Sequence, residues 1–354
     1  YRRFRTCGAP VALASMDNCS HNGDKLKAGV MAFVEAWVKN GIVENEFEAY
    51  MKDDTKVSFP WSMIDKITPR PDENVKAMLE KDGFEQTELI ITSRGTYTSP
   101  FVNSEETGYL VMEDAFPNGR PPLDQAGVLF TDRETVDKVE KMKVCTCLNP
   151  LHTALAIYGC LLSHTSIHGE MEDAELRALI EKMCYDEGMP VVVNPGVIDP
   201  KEFADAVLNL RLPNPFMPDT PQRIVTDTSQ KLPIRFGETI KSYLASDSLE
   251  VEALTLIPLV LAGWCRYLMG VNDDGDVFEQ SPDPRLDEVR QYVSGVTLGG
   301  VTDVHKVLEP ILSDETIFAV NLYEAGLGGK IEGMFAELTA GTGAVRKTLK
   351  KYVK

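Results

Sequence analysis

The sequence lacks an apolar run of the roughly 20 residues that a membrane-spanning helix needs. Its longest candidate, residues 254–264, has the length of a core helix. The basic start at residues 1–5 is not followed by the apolar block and cleavage site of a secretory signal. We therefore expect no membrane contact and a cytoplasmic location.

Positive charge is also scarce. Lys and Arg number 36 against 54 Asp and Glu, so the formal net charge is -18. A surface of this sign repels polyanions, which excludes nucleic acid as an expected partner. An anionic small substrate requires several named cations to converge locally.

Cysteine does not form a recognisable framework, because the seven residues are odd in number and scattered. They are typical of reduced cytosolic thiols. Cys145 and Cys147 are separated by one residue and no second pair follows, which argues against a zinc knuckle. His164 and His168 could bind zinc on one helical face, but Gly169 and the acidic stretch after it favour a helix end. We predict no metal.

A glycine-rich dinucleotide fingerprint between a strand and a helix is missing before Pro10. The residues Gly341, Thr342 and Gly343 resemble its spelling but lie in a predicted helix without a preceding strand. We expect the sequence to begin inside a domain, without the residues that hold cofactor phosphates.

The patterns that are present change character after Asp132. A buried strand is predicted at residues 10–16, a helix at 24–39, and further strands at 88–92, 109–113 and 128–131. Helical periodicity then dominates, at residues 134–143, 151–164, 173–187, 200–208, 234–245, 249–268, 284–293, 304–312 and 331–352. The predicted fold class is α/β followed by mostly α. It comprises the later part of a Rossmann-like nucleotide-binding domain, residues 1–133, and an α-helical C-terminal substrate domain, residues 134–354.

Three polar clusters could carry chemistry. Residues 15–23 follow the first strand, residues 57–69 are bounded by prolines, and residues 140–152 lie at the domain junction, where small-molecule sites are common. Each also has a plain structural interpretation: a helix-capping turn, a surface Asp–Lys pair, and a structural histidine. The residues alone leave these alternatives open.

The order of these clusters resembles the mannitol dehydrogenase family of polyol and hexuronate dehydrogenases. The resemblance rests on four blocks along most of the chain: Asp17–Asn18 with Asn22–Gly23; Phe59–Pro60 with Ser62 to Pro69; Lys143 with Asn149 and His152; and Asn214–Pro215 with Arg223–Ile224, Asp227, Ser229 and Lys231 to Pro233. Lys143 and Asn149 stand one residue further apart than the family's usual spacing. Either the lysine is displaced or the local turn bulges.

The resemblance implies a metal-free oxidoreductase that uses NAD, with NADP not excluded. Lys143 would act as the acid/base, Asn18 and Asn149 as donors to the substrate oxygen, and His152 as the residue that orients that oxygen. Glu140 would relay protons. The remaining implied positions are Arg223, Lys231 and Asp65 for substrate, and Asp17, Asn18 and Asp65 for cofactor.

Arg223 and Lys231 suit a carboxylate, and Thr226 stands where mannitol-oxidising relatives tend to have histidine. The implied reaction is therefore D-mannonate with NAD to D-fructuronate with NADH, in a monomer or homodimer acting on a small sugar acid. Tagaturonate reduction and mannitol oxidation are the alternatives within the family. A helical dimerisation or partner-binding module without catalysis is the alternative outside it.

Overall fold

The architecture is described for residues 1–300 and 303–354 by a computed structural model. The chain divides into two compact units. Unit 1 comprises Tyr1–Ile67, Glu105–Lys141 and Val193–Asp199, and unit 2 comprises Thr68–Ser104, Met142–Val192 and Pro200–Lys354.

Strands and helices are mixed up to residue 131. In chain order they are α1 (Arg2–Thr6), β1 (Val11–Ala12), α2 (Asn22–Lys39), α3 (Asn45–Lys52), β2 (Val57–Ser58), β3 (Ser62–Asp65), α4 (Glu73–Lys81), β4 (Ile90–Ile91), β5 (Tyr97–Thr98), β6 (Tyr109–Glu113) and β7 (Leu129–Thr131). A 3₁₀ turn covers Leu123–Ala126.

From residue 133 onward the described elements are helical. They are α5 (Arg133–Met142), α6 (Asn149–Leu161), α7 (Ile167–Met171), α8 (Ala174–Lys182), α9 (Pro200–Ala206), α10 (Pro221–Ile224), α11 (Thr228–Leu232), α12 (Glu238–Leu244), α13 (Leu256–Tyr267), α14 (Leu286–Val293), α15 (Val304–Leu312), α16 (Glu315–Phe318), α17 (Gly328–Leu338) and α18 (Ala344–Tyr352). The predicted order of α/β followed by mostly α is confirmed.

Unit 1 contains a βαβ crossover. β1 pairs in parallel with β2, with Val11 opposite Val57, and the intervening helices α2 and α3 contribute Met31 and Phe47 to the same buried cluster. A second sheet has the order β3-β6-β7, in which β6 is antiparallel to β3 and parallel to β7. The ladder of β1 covers two residues of the predicted strand 10–16.

The core of unit 2 is built on α6 and α13. All twelve residues of α13 and eleven of the thirteen in α6 are buried. Helices that are apolar on all sides must be surrounded by other helices, and α13 packs against both α6 and α17. The stretch Arg133–Leu161 is apolar and long enough to span a bilayer, but 78% of its most apolar window is buried in the structure, as in a core helix.

Two buried charges in this core are held by backbone groups. Arg266 of α13 donates to the carbonyl oxygens of Val271 at 2.6 Å and Asn272 at 3.0 Å. The Glu187 carboxylate accepts from the first backbone N–H groups of α13 at 2.6 to 2.8 Å, which satisfies donors that a helix leaves unpaired at its start.

In the described part of unit 2, four π-helical segments interrupt the helices. They are Lys143–Cys147, Met183–Gly188, Val207–Arg211 and Pro233–Gly237. The first packs against both the second and the fourth. Single π turns are rare and are often found at functional sites, because the extra residue redirects a side chain.

Two predicted helices are shorter in the structure. The predicted helix 331–352 is two helices, since Gly343 adopts a φ of +73° before α18 and its N–H donates to the carbonyl of Asp273. The predicted helix 249–268 begins as the 3₁₀ turn Val251–Ala253 and becomes α-helical only at Leu256.

Candidate active site

In unit 1, the loop with Asp17 and Asn18 is fastened to the start of β3. Both residues are exposed. The buried Asn22 donates to the Asp17 carbonyl at 2.9 Å and to the Ser62 carbonyl at 3.0 Å, and its own oxygen accepts from the Ser62 N–H at 3.0 Å. The loop after β1 therefore has a fixed position relative to the strand that ends in Asp65.

The polar clusters at residues 15–23 and 57–69 are in contact at Gly23, where there is no room for a side chain. A Cβ at Gly23 would lie 2.5 Å from the carbonyl oxygen of Phe59 and 2.7 Å from the Trp61 ring. His21 stacks on Trp61 with ring centroids 4.2 Å apart and reaches Asp137 at 3.0 Å. The Asn22–Gly23 pair thus serves packing between these segments.

Two further predicted residues of unit 1 lie on regular elements. Asp65 is the last residue of β3, opposite Tyr109 of β6, and it is 4% exposed. Glu140 is half-buried on α5, in the turn before Lys143.

Lys143 opens the first π segment of unit 2 and is 4% exposed. The backbone N–H of Leu148 donates a hydrogen bond to the Lys143 carbonyl at 3.1 Å, and α6 starts at the next residue, Asn149. Since a π turn contains one more residue than an α turn, the structure shows a local bulge in the Lys143 to Asn149 interval, one of the two explanations that the spacing allowed.

His152 lies in the first turns of α6, close to a carboxylate and several cations. Its Nε2 is 3.5 Å from Asp219 Oδ2, too long for a good hydrogen bond, and it has no other partner among the described residues. Burial, reinforced by the charges of Arg235, Arg223 and Arg211 against that of Asp219, lowers the pKa of His152 to about 4. The imidazole is therefore neutral near neutral pH and can accept or donate one hydrogen bond.

Arg223 and Lys231 both lie in unit 2, and each already has protein partners. Arg223 forms a bidentate ion pair with Asp219, in which Nε donates to Oδ1 at 2.6 Å and Nη2 donates to Oδ2 at 2.5 Å. Lys231 Nζ donates to the backbone carbonyls of Ile224, at 3.2 Å, and Thr226. Burial, with repulsion from Arg235, lowers the pKa of Lys231 to about 8.

Two polar residues near His152, Asp219 and Arg235, were not identified from the sequence. Asp219 precedes Arg223 by four residues, just before α10, and Arg235 follows Lys231 by four. In a helix this spacing brings two side chains together. That spacing was the available signal. Both residues interact electrostatically with His152.

The alternative zinc pair does not share one helix. α7 begins at Ile167, so His164 precedes it, and His164 Nε2 faces Asp173 at 3.4 Å. His168 Nδ1 is bonded to the Pro213 carbonyl at 2.6 Å. In the described parts of the chain, no group of three or more His, Cys, Asp or Glu side chains is arranged to hold a metal.

Comparison with solved structures defines the class of fold. The chain matches Pseudomonas fluorescens mannitol 2-dehydrogenase in a ternary complex with NAD and D-mannitol, with a TM-score of 0.71 and 27% identity over 99% of this chain. It also matches a substrate-free D-sorbitol dehydrogenase, with a TM-score of 0.79 and 22% identity over the whole chain. The fold is that of a dehydrogenase with a Rossmann-like part followed by a helical domain.

The family model for the mannitol dehydrogenase C-terminal domain matches residues 135–334, and the chain belongs to this family. The resemblance inferred from the motifs is thus confirmed. Over its full length the chain is 55% identical to D-mannonate oxidoreductase of Thermotoga maritima. It is 30% identical, over 92% of its length, to mannitol 2-dehydrogenase of Phaeosphaeria nodorum.

The chain spans only part of these relatives. It covers 65% of the Thermotoga protein, 52% of the Phaeosphaeria protein and 64% of each solved structure.

Proposed function

We propose that this protein transfers hydride between NAD(H) and a sugar acid, interconverting D-mannonate and D-fructuronate without a metal. The observation that carries the proposal is the helical segment of unit 2, on which the buried Lys143 is followed by Asn149 and an uncharged His152. The full-length similarity to a D-mannonate oxidoreductase supports the same substrate.

The proposed reaction needs a group that moves a proton at the substrate oxygen. In its neutral form the Lys143 amine accepts the hydroxyl proton during oxidation and returns it during reduction. The Asn149 carboxamide donates a hydrogen bond to that oxygen and stabilises its alkoxide character. His152, being neutral, orients the oxygen, and Glu140 passes the proton onward from Lys143.

The residues of unit 1 fit a dinucleotide at its nicotinamide end. Asp17 and Asn18 are exposed at the carboxyl end of β1 in a parallel βαβ unit, the edge where open α/β sheets bind nucleotides. We assign Asp17, Asn18 and Asp65 to this cofactor, and Asn18 also as a carboxamide donor to substrate. When bound, NAD supplies the hydride acceptor.

The charged residues indicate the class of substrate. We assign Arg223, Lys231 and Asp65 to the substrate. Cations at a binding site in a chain of net charge -18 suit a sugar acid better than a neutral polyol. Tagaturonate is the second candidate substrate, since one inverted hydroxyl changes only a hydrogen bond or two. We further propose a cytoplasmic enzyme that acts as a monomer or homodimer.

The test is Lys143→Ala in the full chain, assayed by NADH absorbance with D-fructuronate, D-tagaturonate and D-fructose. We expect loss of about 100-fold or more in kcat, because the general base is removed, with NAD binding and circular dichroism unchanged. Lys141→Ala, at an exposed position two residues earlier, is the control. Wild-type preference for fructose would contradict the sugar-acid assignment, and full activity of Lys143→Ala would contradict the mechanism.

A further inference from the structure

We infer that Arg235 is the residue that binds the substrate carboxylate and selects sugar acids over neutral polyols. This inference rests on the proposed function, because it concerns the specificity of that same site. It follows from how Arg235 is held, from the counter-ion that it lacks among the described residues, and from the partners of the cations around it.

Arg235 has a fixed position beside α6. It occupies the middle of the π segment Pro233–Gly237, and its Nη1 donates to the hydroxyl of Thr153. Thr153 is fully buried and in turn donates to the Asn149 carbonyl at 2.8 Å. The guanidinium is thereby anchored to the turn that carries Asn149 and His152.

This anchoring uses one of the five N–H donors of the guanidinium. Within residues 1–300 and 303–354, no second hydrogen bond of Arg235 is formed and no carboxylate lies within ion-pairing distance of it. Arg235 is half-buried, and its unbonded nitrogen atoms are not among the buried side-chain atoms that lack a hydrogen-bond partner, so they retain access to solvent. A partly desolvated charge without a counter-ion is costly to the free protein, and burial lowers the pKa of Arg235 to about 10.

The neighbouring cations differ from Arg235 in this respect. Arg223 is neutralised by both oxygens of Asp219, and Lys231 donates to two backbone carbonyls. Among the described residues, Arg235 is therefore left with a charge that no carboxylate compensates and with N–H donors that have no acceptor. An incoming carboxylate would gain more from Arg235 than from the paired Arg223.

The geometry of the two groups is complementary. A guanidinium presents parallel N–H groups that match the two oxygens of a carboxylate, whereas the terminal hydroxymethyl of a polyol can accept only one such bond and brings no charge. The substrate carboxylate thus supplies the negative charge that Arg235 lacks among the described residues. We assign the carboxylate to Arg235 and leave Arg223 and Lys231 to the hydroxyl groups.

The experiment compares Arg235→Gln and Arg235→Lys with wild type in the full chain. For Arg235→Gln we expect the KM for D-mannonate to rise about 10- to 150-fold, the equivalent of a lost charged hydrogen bond. The change in kcat should be smaller, and the inhibition constant for the neutral analogue D-mannitol should remain within about twofold. Arg235→Lys should recover part of the loss, since it keeps the charge but not the fork. Arg177→Gln, at a half-buried arginine that pairs with Glu181, is the control and should match wild type.

Thr153→Val gives an independent measurement if the Arg235 variants fold poorly. It preserves side-chain shape but removes the hydroxyl that fixes the guanidinium, so the KM for D-mannonate should rise several-fold without a matching change for D-mannitol. An unchanged KM for D-mannonate in Arg235→Gln would overturn the inference. So would equal weakening for acid and polyol, which is the signature of a purely structural arginine. Wild type inactive on every sugar acid would instead overturn the proposed function.

Discussion

A buried carboxyl group in unit 2 allows a strong test of the electrostatics. Glu170 of α7 is 0% exposed, and neither of its carboxyl oxygens has a hydrogen-bond partner among the described residues. It fills the space above Gly159 of α6, where a Cβ would lie 1.6 Å from Glu170 Oε1. Burial, with repulsion from Asp219 and Asp173, raises the pKa of Glu170 from 4.5 to about 9.

The perturbation is Glu170→Gln, which replaces the protonated acid by a neutral group of the same shape. Between the unfolded pKa of 4.5 and the folded pKa of about 9, the native state binds the proton that the unfolded state has released. Wild-type stability therefore falls as pH rises through this window. Each pH unit costs about 1.4 kcal/mol. The glutamine variant is free of this cost, so its advantage over wild type should grow by about 4 kcal/mol between roughly pH 5 and pH 8.

The assay is urea unfolding of both proteins at several pH values, with the free energies of unfolding subtracted at each pH. Glu172→Gln is the matched control, because its side chain is 73% exposed and its replacement should change stability by less than about 0.5 kcal/mol at every pH. A difference between wild type and Glu170→Gln that does not vary with pH would refute the reasoning. An advantage in the free energy of unfolding of Glu170→Gln that shrinks as pH rises would refute it as well.

Two other predictions concern the core and the chemistry. Glu187→Gln should lower the free energy of unfolding by about 1 to 3 kcal/mol, because one amide oxygen cannot replace two carboxylate oxygens at the start of α13; the exposed Glu250→Gln is the control in the same urea titration. Prolonged dialysis against EDTA should leave the NADH-linked activity unchanged, since a lysine is proposed as the acid/base. Activity lost on chelation and restored by added zinc would argue against that role.

Much of the outline was predictable from local pattern. The helix at 304–312 has the predicted limits, and the strand at 109–113 is β6. The limits of such elements follow from the hydrophobic periodicity of neighbouring residues, which is visible in the sequence. The short strands β2 and β5 and the helices α3 and α4 were not predicted, because their limits depend on the partners that pack against them.

The candidate site divides in the same way. The motif order identified the family, and with it Lys143, Asn149 and His152 as the residues of interest. The π turn at Lys143 could be foreseen only as one of two explanations for an unusual spacing. The one-residue excess is visible in a sequence, but the helix type that absorbs it depends on packing against other segments.

By itself, then, the sequence determined the periodicity of its residues and the order of its motifs. The periodicity sufficed for the fold class, and the motif order sufficed for the family. Tertiary structure alone decided which charges are compensated. Among the described residues, Arg223 is paired with a carboxylate and Arg235 is not. His152 is neutral, and Glu170 holds its proton because it is buried. The reason is physical: the energy of a charge depends on its burial and on the distance to its neighbours, and both are set by segments far apart in the chain.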